Sequence, residues 1–360
     1  MGAGTAQGGA CLLISGKERK NMEFVVFAGV LLLLFIFMIV QELIQTKNQE
    51  KLFKKYLREN YGKEPPKEYS LERFARLGSY LERHKEEKQL DDITWNDLGM
   101  DEVFRRIDRT YSAAGEEYLY YTLRNISCGR EALEHLEEVV NWLQEQENIK
   151  VRIQLLMKRL GHLGKYSLYD YLDNLDYLGE RSNRKIVLGN LLYLPFLLLL
   201  FVQPAMGTIG IVLCMLWHIM TYFREKKVIE PYIISFAYVL RLIDVCEELE
   251  KQKIPVYRRE LDELREALKS LRELRRGAYW VMAGNQGKIG GNPLDILADY
   301  LRMILHLDIW QFNLMLRKLR LKTNEVDRLL GITGYLDMAI SVGGFRRSLE
   351  GYCIPQLEEN

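Results

Sequence analysis

IVLGNLLYLPFLLLLFVQPAMGTIGIVLCMLWHIMTYF, Ile186 to Phe223, decides how this chain folds. It holds two uncharged apolar runs, Ile186–Val202 and Thr208–Phe223, parted only by QPAMG. As helix, each run reaches roughly 25 Å, a little short of a hydrocarbon layer about 30 Å thick. Pro204 and Gly207 suit a tight turn, so the stretch reads as a transmembrane hairpin. A pair of buried core helices is the rival reading; an uncharged turn between uncharged runs argues against it. Arg181, Arg184 and Lys185 precede the hairpin, and Arg224, Lys226 and Lys227 follow it. Both ends are therefore expected on the cytoplasmic side.

An earlier run, FVVFAGVLLLLFIFMIV, Phe24 to Val40, is also free of charge. Lys47, Lys51, Lys54, Lys55 and Arg58 follow it, which puts its C-terminal end in the cytoplasm as well. Lys17, Arg19 and Lys20 then sit on the outer side, against the rule. Met22 makes a better start, and residues 1–21 read as a disordered or non-native extension. A cleaved signal peptide is the rival reading of this run; Gln41-Glu42 follows it in place of a small-residue cleavage site.

The remainder reads as ordinary soluble protein. Among 360 residues the formal net charge is +1, so the whole molecule is no electrostatic lure for nucleic acid. The five cysteines are scattered, with no CxxC pair, and the five histidines show no ligand spacing. No Ser/His/Asp set stands out, and the carboxylates read as solvated helix faces. The glycine-rich loop GNQGKIGGN, Gly284 to Asn292, lacks the GxxxxGK[ST] pattern of a phosphate loop.

Helical periodicity covers most of the soluble sequence, and no run reads as β-sheet. Pro65-Pro66 breaks a charged segment, with Ser70 placed to cap the next helix. Met100, Val103, Phe104, Ile107 and Tyr111 recur at helical spacing, and Leu133 to Leu160 continues the pattern as far as Gly161 and Gly164. Leu261, Leu264, Leu268 and Leu271 form a narrow coiled-coil-like stripe that calls for a partner helix. Leu294 to Leu330 and Tyr335 to Ser341 are helical in pattern too. His218 reads as a packed or interfacial residue of the third run.

The most distinctive soluble stretch is DRTYSAAGEEYLYYTLRN, Asp108 to Asn125. Ser112 can cap a helix whose first turn carries Glu116 and Glu117, and Leu119 and Leu123 form an i, i+4 apolar pair. Gly115 in that turn costs roughly 1 kcal/mol relative to alanine, which a close packing contact would explain. This stretch resembles the start of the core domain of the MutS family, the DNA mismatch-repair ATPases. The matching residues are Asp108, Arg109, Thr110, Ser112, Gly115, Leu119 and Leu123, after a short helix MDEVFRRI. YLDMAISVGGFRRSLEGYCIP, Tyr335 to Pro355, is similar to the family's returning core helix through Leu336, Asp337, Tyr352 and Pro355.

Glu116 and Glu117 stand where the family carries basic residues, and the family's mismatch-reading domain is not recognisable. Where the family inserts lever helices and a DNA-gripping clamp, this chain places the hairpin. Phe223-Arg224-Glu225 matches the family's mismatch-wedge tripeptide by coincidence only, since it ends a membrane helix.

The expected fold is all-α: a MutS core-like helical bundle with three transmembrane helices, two of them a hairpin. The expected order is an extension (1–21), a first membrane helix (22–45), a juxtamembrane helical linker (46–91), core helices (92–180), the hairpin (181–227) and core helices again (228–360). The apolar runs and the basic residues beside them imply a multi-pass protein of the cell membrane with cytoplasmic soluble parts. Membrane lipid, an ATPase domain in cis or in trans, DNA, and a second copy bound through helices are the expected partners. No cofactor is expected within these residues; ATP and magnesium are expected only of a longer parent. A helical membrane scaffold without nucleotide or DNA chemistry is the alternative.

Overall fold

A computed structural model describes residues 36–41, 44–63, 69, 71–86, 88–126, 129–164, 166–275 and 300–353. The chain divides into two units, residues 1–60 and 61–360. In the first, the described residues are helical throughout. Most of the first apolar run, the Ser70 cap, the glycine-rich loop and Pro355 lie outside the described residues.

The second unit is built from helices; among the described residues the only β pairing is an isolated bridge between Gln89 and Asn125. Its helices are α1 (Leu71–Arg83), α2 (Asp92–Asp97), α3 (Met100–Ile107), α4 (Ala113–Arg124), α5 (Arg130–Glu145), α6 (Glu147–Leu160) and α7 (Leu168–Leu172). After a 3-10 turn at Leu175–Leu178 come α8 (Arg184–Leu191), α9 (Tyr193–Val202) and α10 (Pro204–Glu250). The unit closes with α11 (Arg258–Leu271), α12 (Leu307–Leu319) and α13 (Thr323–Ser348). Several breaks have simple chemical causes. Gly99 and Gly161 take positive φ, which glycine adopts without a Cβ penalty. Asp91 and Ser112 cap α2 and α4 by accepting bonds from Thr94 N and Gly115 N.

The hairpin differs from its sequence reading in one respect. Only Gln203 separates α9 from α10, because Pro204 opens α10 as its first residue, where a missing N–H costs nothing. Gly207 is therefore not a turn residue but a contact residue. A Cβ on it would lie 2.6 Å from Leu200 N, and one on Gly210 would lie 2.8 Å from Phe196 Cγ. Small residues here let the two helices approach closely. Arg184–Val202 and Pro204–Glu250 are both long and apolar enough to cross a membrane. Phe201, Leu198 and Met220 are exposed.

The largest departure is the length of α10. It does not stop after the hairpin but runs 47 residues, through Pro231, into the soluble core. At about 1.5 Å per residue it is roughly 70 Å long. Its C-terminal half supplies Phe236, Val239, Leu240, Leu242, Ile243, Val245, Cys246 and Leu249 to the main core. Burying each large aliphatic or aromatic side chain contributes about 1.5–3 kcal/mol. That burial holds the helix together past a proline that removes one backbone hydrogen bond.

The leucine stripe on α11 finds the partner helix it calls for. Leu261, Leu264, Leu268 and Leu271 are all buried, and α11 packs on α13 and α10. The stripe finds its partner inside the chain, so it offers no apolar face to a second copy. Leu133 to Leu160 is two helices, broken at Gln146.

Candidate functional site

The two family-like stretches meet. Helix α4 packs along α13, and they approach through glycines on both sides. A Cβ on Gly115 would lie 2.6 Å from Asp337 Cβ, and one on Gly334 would lie 2.6 Å from Ala114 O. The helical cost of Gly115 is thus the condition for this crossing.

At the crossing, the Asp337 carboxylate enters the N-terminus of α4. Oδ2 accepts from Ser112 Oγ at 2.6 Å and from Ser112 N at 2.8 Å, and Tyr111 N donates to it at 3.1 Å. Ser112 Oγ in turn accepts from Gly115 N at 3.1 Å. Both Asp337 and Ser112 are buried. An anion in this position satisfies free N–H groups and complements the helix dipole. One residue from α13 therefore completes the cap that the α4 sequence begins.

The other motif residues brace the same crossing. Asp108 is fully buried and accepts from Thr110 Oγ1 at 2.6 Å, Thr110 N at 3.0 Å and Tyr69 OH at 2.7 Å. Arg109 N donates to Ser341 Oγ at 2.7 Å, and Ser341 Oγ donates to Ile107 O at 2.7 Å. The Arg109 guanidinium lies over the Phe345 ring, with its centroid 5.6 Å away. Leu119 is buried with Trp95, Phe104, Tyr120 and Met338, and Leu123 packs against that cluster. Leu336 joins the main core. Tyr352 is not brought to the crossing; it is exposed, beneath the Arg346 guanidinium.

Glu116 and Glu117 are not a solvated face, because both are buried. Arg73 and Arg76 of α1 hold Glu116, the latter at 2.9 Å, with His162 Nε2 at 3.3 Å. Ser167 Oγ donates to Glu117 at 2.9 Å. Burial pushes the Glu117 carboxyl up from 4.5 to about 8, although the Ser167 hydroxyl and the Arg76 charge pull the other way. Tyr69, Arg73, Arg76, Ser167 and Ser341 were not singled out from sequence. Arg73 and Arg76 stand at i, i+3 spacing on α1, but nothing in the sequence points them at Glu116, some 40 residues on. Chemically, the arrangement is a clasp: fixed donors close on a buried carboxylate and tie α4 to α13.

No family model matches this chain, and no curated protein or solved structure matches it.

Proposed function

We propose that this chain is a membrane-anchored, MutS-like coupling module. In this reading it spans the membrane three times, through residues 22–45 and the α8–α10 hairpin, with its soluble helices in the cytoplasm. Its helical core links an ATP-binding domain, in cis or in trans, to the hairpin, which stands where the family carries its DNA clamp. The reading is carried by one observation. The two stretches that resemble the family, far apart in sequence, clasp each other through Asp337 and Ser112. The unbroken path of α10 from hairpin to core supports the mechanical part, since a single helix passes displacement along its axis. The basic residues at both feet of the hairpin support the orientation. The scaffold alternative drew on the α11 stripe, which is spent inside the chain.

The nucleic-acid arm is tested with the chain in lipid nanodiscs and a mismatch-bearing duplex, titrated from about 50 to 200 mM salt. Binding that weakens steeply with salt supports it; no binding at the lowest salt removes DNA from the proposal. The nucleotide arm is tested by reading the frame beyond codon 360 and its neighbours. A GxxxxGK[ST] loop after a strand supports it, and a frame and neighbours without one overturn it.

A further inference from the structure

The buried polar side chains of the hairpin lead to a further element at the same level. Residues 300–305 are helical, the chain breaks at His306, and α12 starts at Leu307. His306 takes the left-handed region at φ 54, the only non-glycine residue to do so among those described. Such a break leaves the last carbonyls of the first piece without helical partners. The hairpin supplies the donors. Ile304 O accepts from His218 Nδ1 at 3.0 Å, and Leu305 O accepts from Asn190 Nδ2 at 3.1 Å.

The depth of these two caps comes from the sequence. Asn190 stands six residues beyond Arg184 on α8–α9, and His218 stands six residues before Arg224 on α10 (190 − 184 = 6; 224 − 218 = 6). Six residues of helix rise about 9 Å. With arginines and lysines at headgroup level, both caps stand about 9 Å inside the apolar layer. Irregular backbone survives there only where protein satisfies it, which is what His218 and Asn190 do.

Contacts beyond the break descend toward the core. Tyr222 OH donates to Asp308 Oδ2 at 2.7 Å. Asn183 Nδ2 donates to Trp310 O at 3.2 Å, and Asn313 Nδ2 donates to Asn183 Oδ1 at 2.8 Å. On the other side of the break, Arg302 is turned inward at 5% exposure, while Tyr300 and Leu301 are exposed at 57% and 48%.

We propose that residues 300–305 form a helical element in the acyl layer beside the hairpin, with Tyr300 and Leu301 against lipid tails. Acyl chains are the occupant because Tyr300 and Leu301 are exposed on an element capped from the hairpin by His218 and Asn190, and Leu188, Leu191 and Leu194 of that hairpin are exposed too. The proposal rests on the hairpin crossing a bilayer. It gives the membrane layer a second connection to the core, through α12, held by His218 and Tyr222 of α10 and by Asn190 of α8.

The test is collisional accessibility of a spin label in vesicles of phosphatidylcholine and phosphatidylglycerol. Labels are placed at Leu301→Cys and, separately, at Tyr300→Cys, in a full chain with Cys11, Cys128 and Cys353 changed to serine. Cys214 and Cys246 are buried, and the background without an added cysteine measures any labelling there. Leu198→Cys marks lipid, and Tyr177→Cys, highly exposed in the soluble part, marks water. Both test positions are exposed, so the substitutions leave the core intact; circular dichroism of each variant checks this. The expected result is several-fold greater accessibility to oxygen than to a water-soluble nickel chelate at both positions, as at Leu198. Access to the chelate at both positions, with Leu198 still in lipid, overturns the acyl-layer element and leaves the hairpin standing. Shielding from both quenchers also overturns it, since protein then covers the face. Chelate access at Leu198 overturns the hairpin and the element together.

Discussion

Asp337→Ala is expected to be among the most damaging single substitutions outside the apolar core. The carboxylate is 1% exposed and accepts from Ser112 Oγ, Ser112 N and Tyr111 N. A buried donor that loses its acceptor costs about 1–3 kcal/mol. The three donors share one small space and relax together, so the costs do not add fully; about 4 kcal/mol is the working figure. At about 2–4 °C per kcal/mol for a domain of this size, unfolding moves down by about 8–16 °C. Asp337→Asn keeps one acceptor oxygen and loses about half as much. Ser112→Ala removes the cap and one charge-assisted bond, for about 2 kcal/mol. A cycle built on Ser112→Ala and Asp337→Ala shows a coupling of at least about 1 kcal/mol, because each removes the same bond. The assay is thermal unfolding of the chain in nanodiscs, followed by far-ultraviolet circular dichroism. An Asp337→Ala protein that unfolds within about 1 °C of the wild type refutes the clasp as a stabilising element.

Three further outcomes are expected. Gly115→Ala gains up to about 1 kcal/mol of helix propensity but forces Asp337 away, for a net loss of about 1–2 kcal/mol in the same assay. Arg76→Met leaves Glu116 short of a buried partner and costs about 3 kcal/mol, a loss that Glu116→Gln in the same chain reduces, as urea titration will show. Stability falls as pH rises through the range set by Glu117. Its folded value, about 8, lies above its ordinary 4.5, so its contribution is complete below 4.5 and lost as pH climbs through about 8. The slope is at most about 1.4 kcal/mol per pH unit, and Glu117→Gln flattens it; equal slopes in both proteins contradict the burial argument.

Local chemistry made part of this molecule readable before its structure. The Ser112 cap, the Gly161 stop and the helical, apolar character of the two hairpin runs each depend on neighbours a few residues away, and these appear as read. Long-range chemistry was not readable in the same way. The hairpin reads as ending at 227, yet α10 runs on through Pro231 because its C-terminal half is buried in the main core. Glu116 and Glu117 read as solvated, because the arginines that hold the first and the serine that holds the second come from other parts of the chain. The α11 leucines read only as seeking a partner helix, because periodicity shows a face and not what covers it. Asp337 and Ser112 are 225 residues apart. No periodicity joins them.

Coupling requires α10 to be one rigid path from membrane to clasp. Spin labels at Met206→Cys and Glu248→Cys, in nanodiscs, measure that path by pulsed dipolar spectroscopy. The labelled positions are 42 residues apart (248 − 206 = 42) on one helix. At about 1.5 Å per residue a continuous helix sets them about 63 Å apart, in a single narrow distribution. A broad distribution, or one centred below about 50 Å, means that α10 breaks near Pro231 and that the hairpin moves independently of the core.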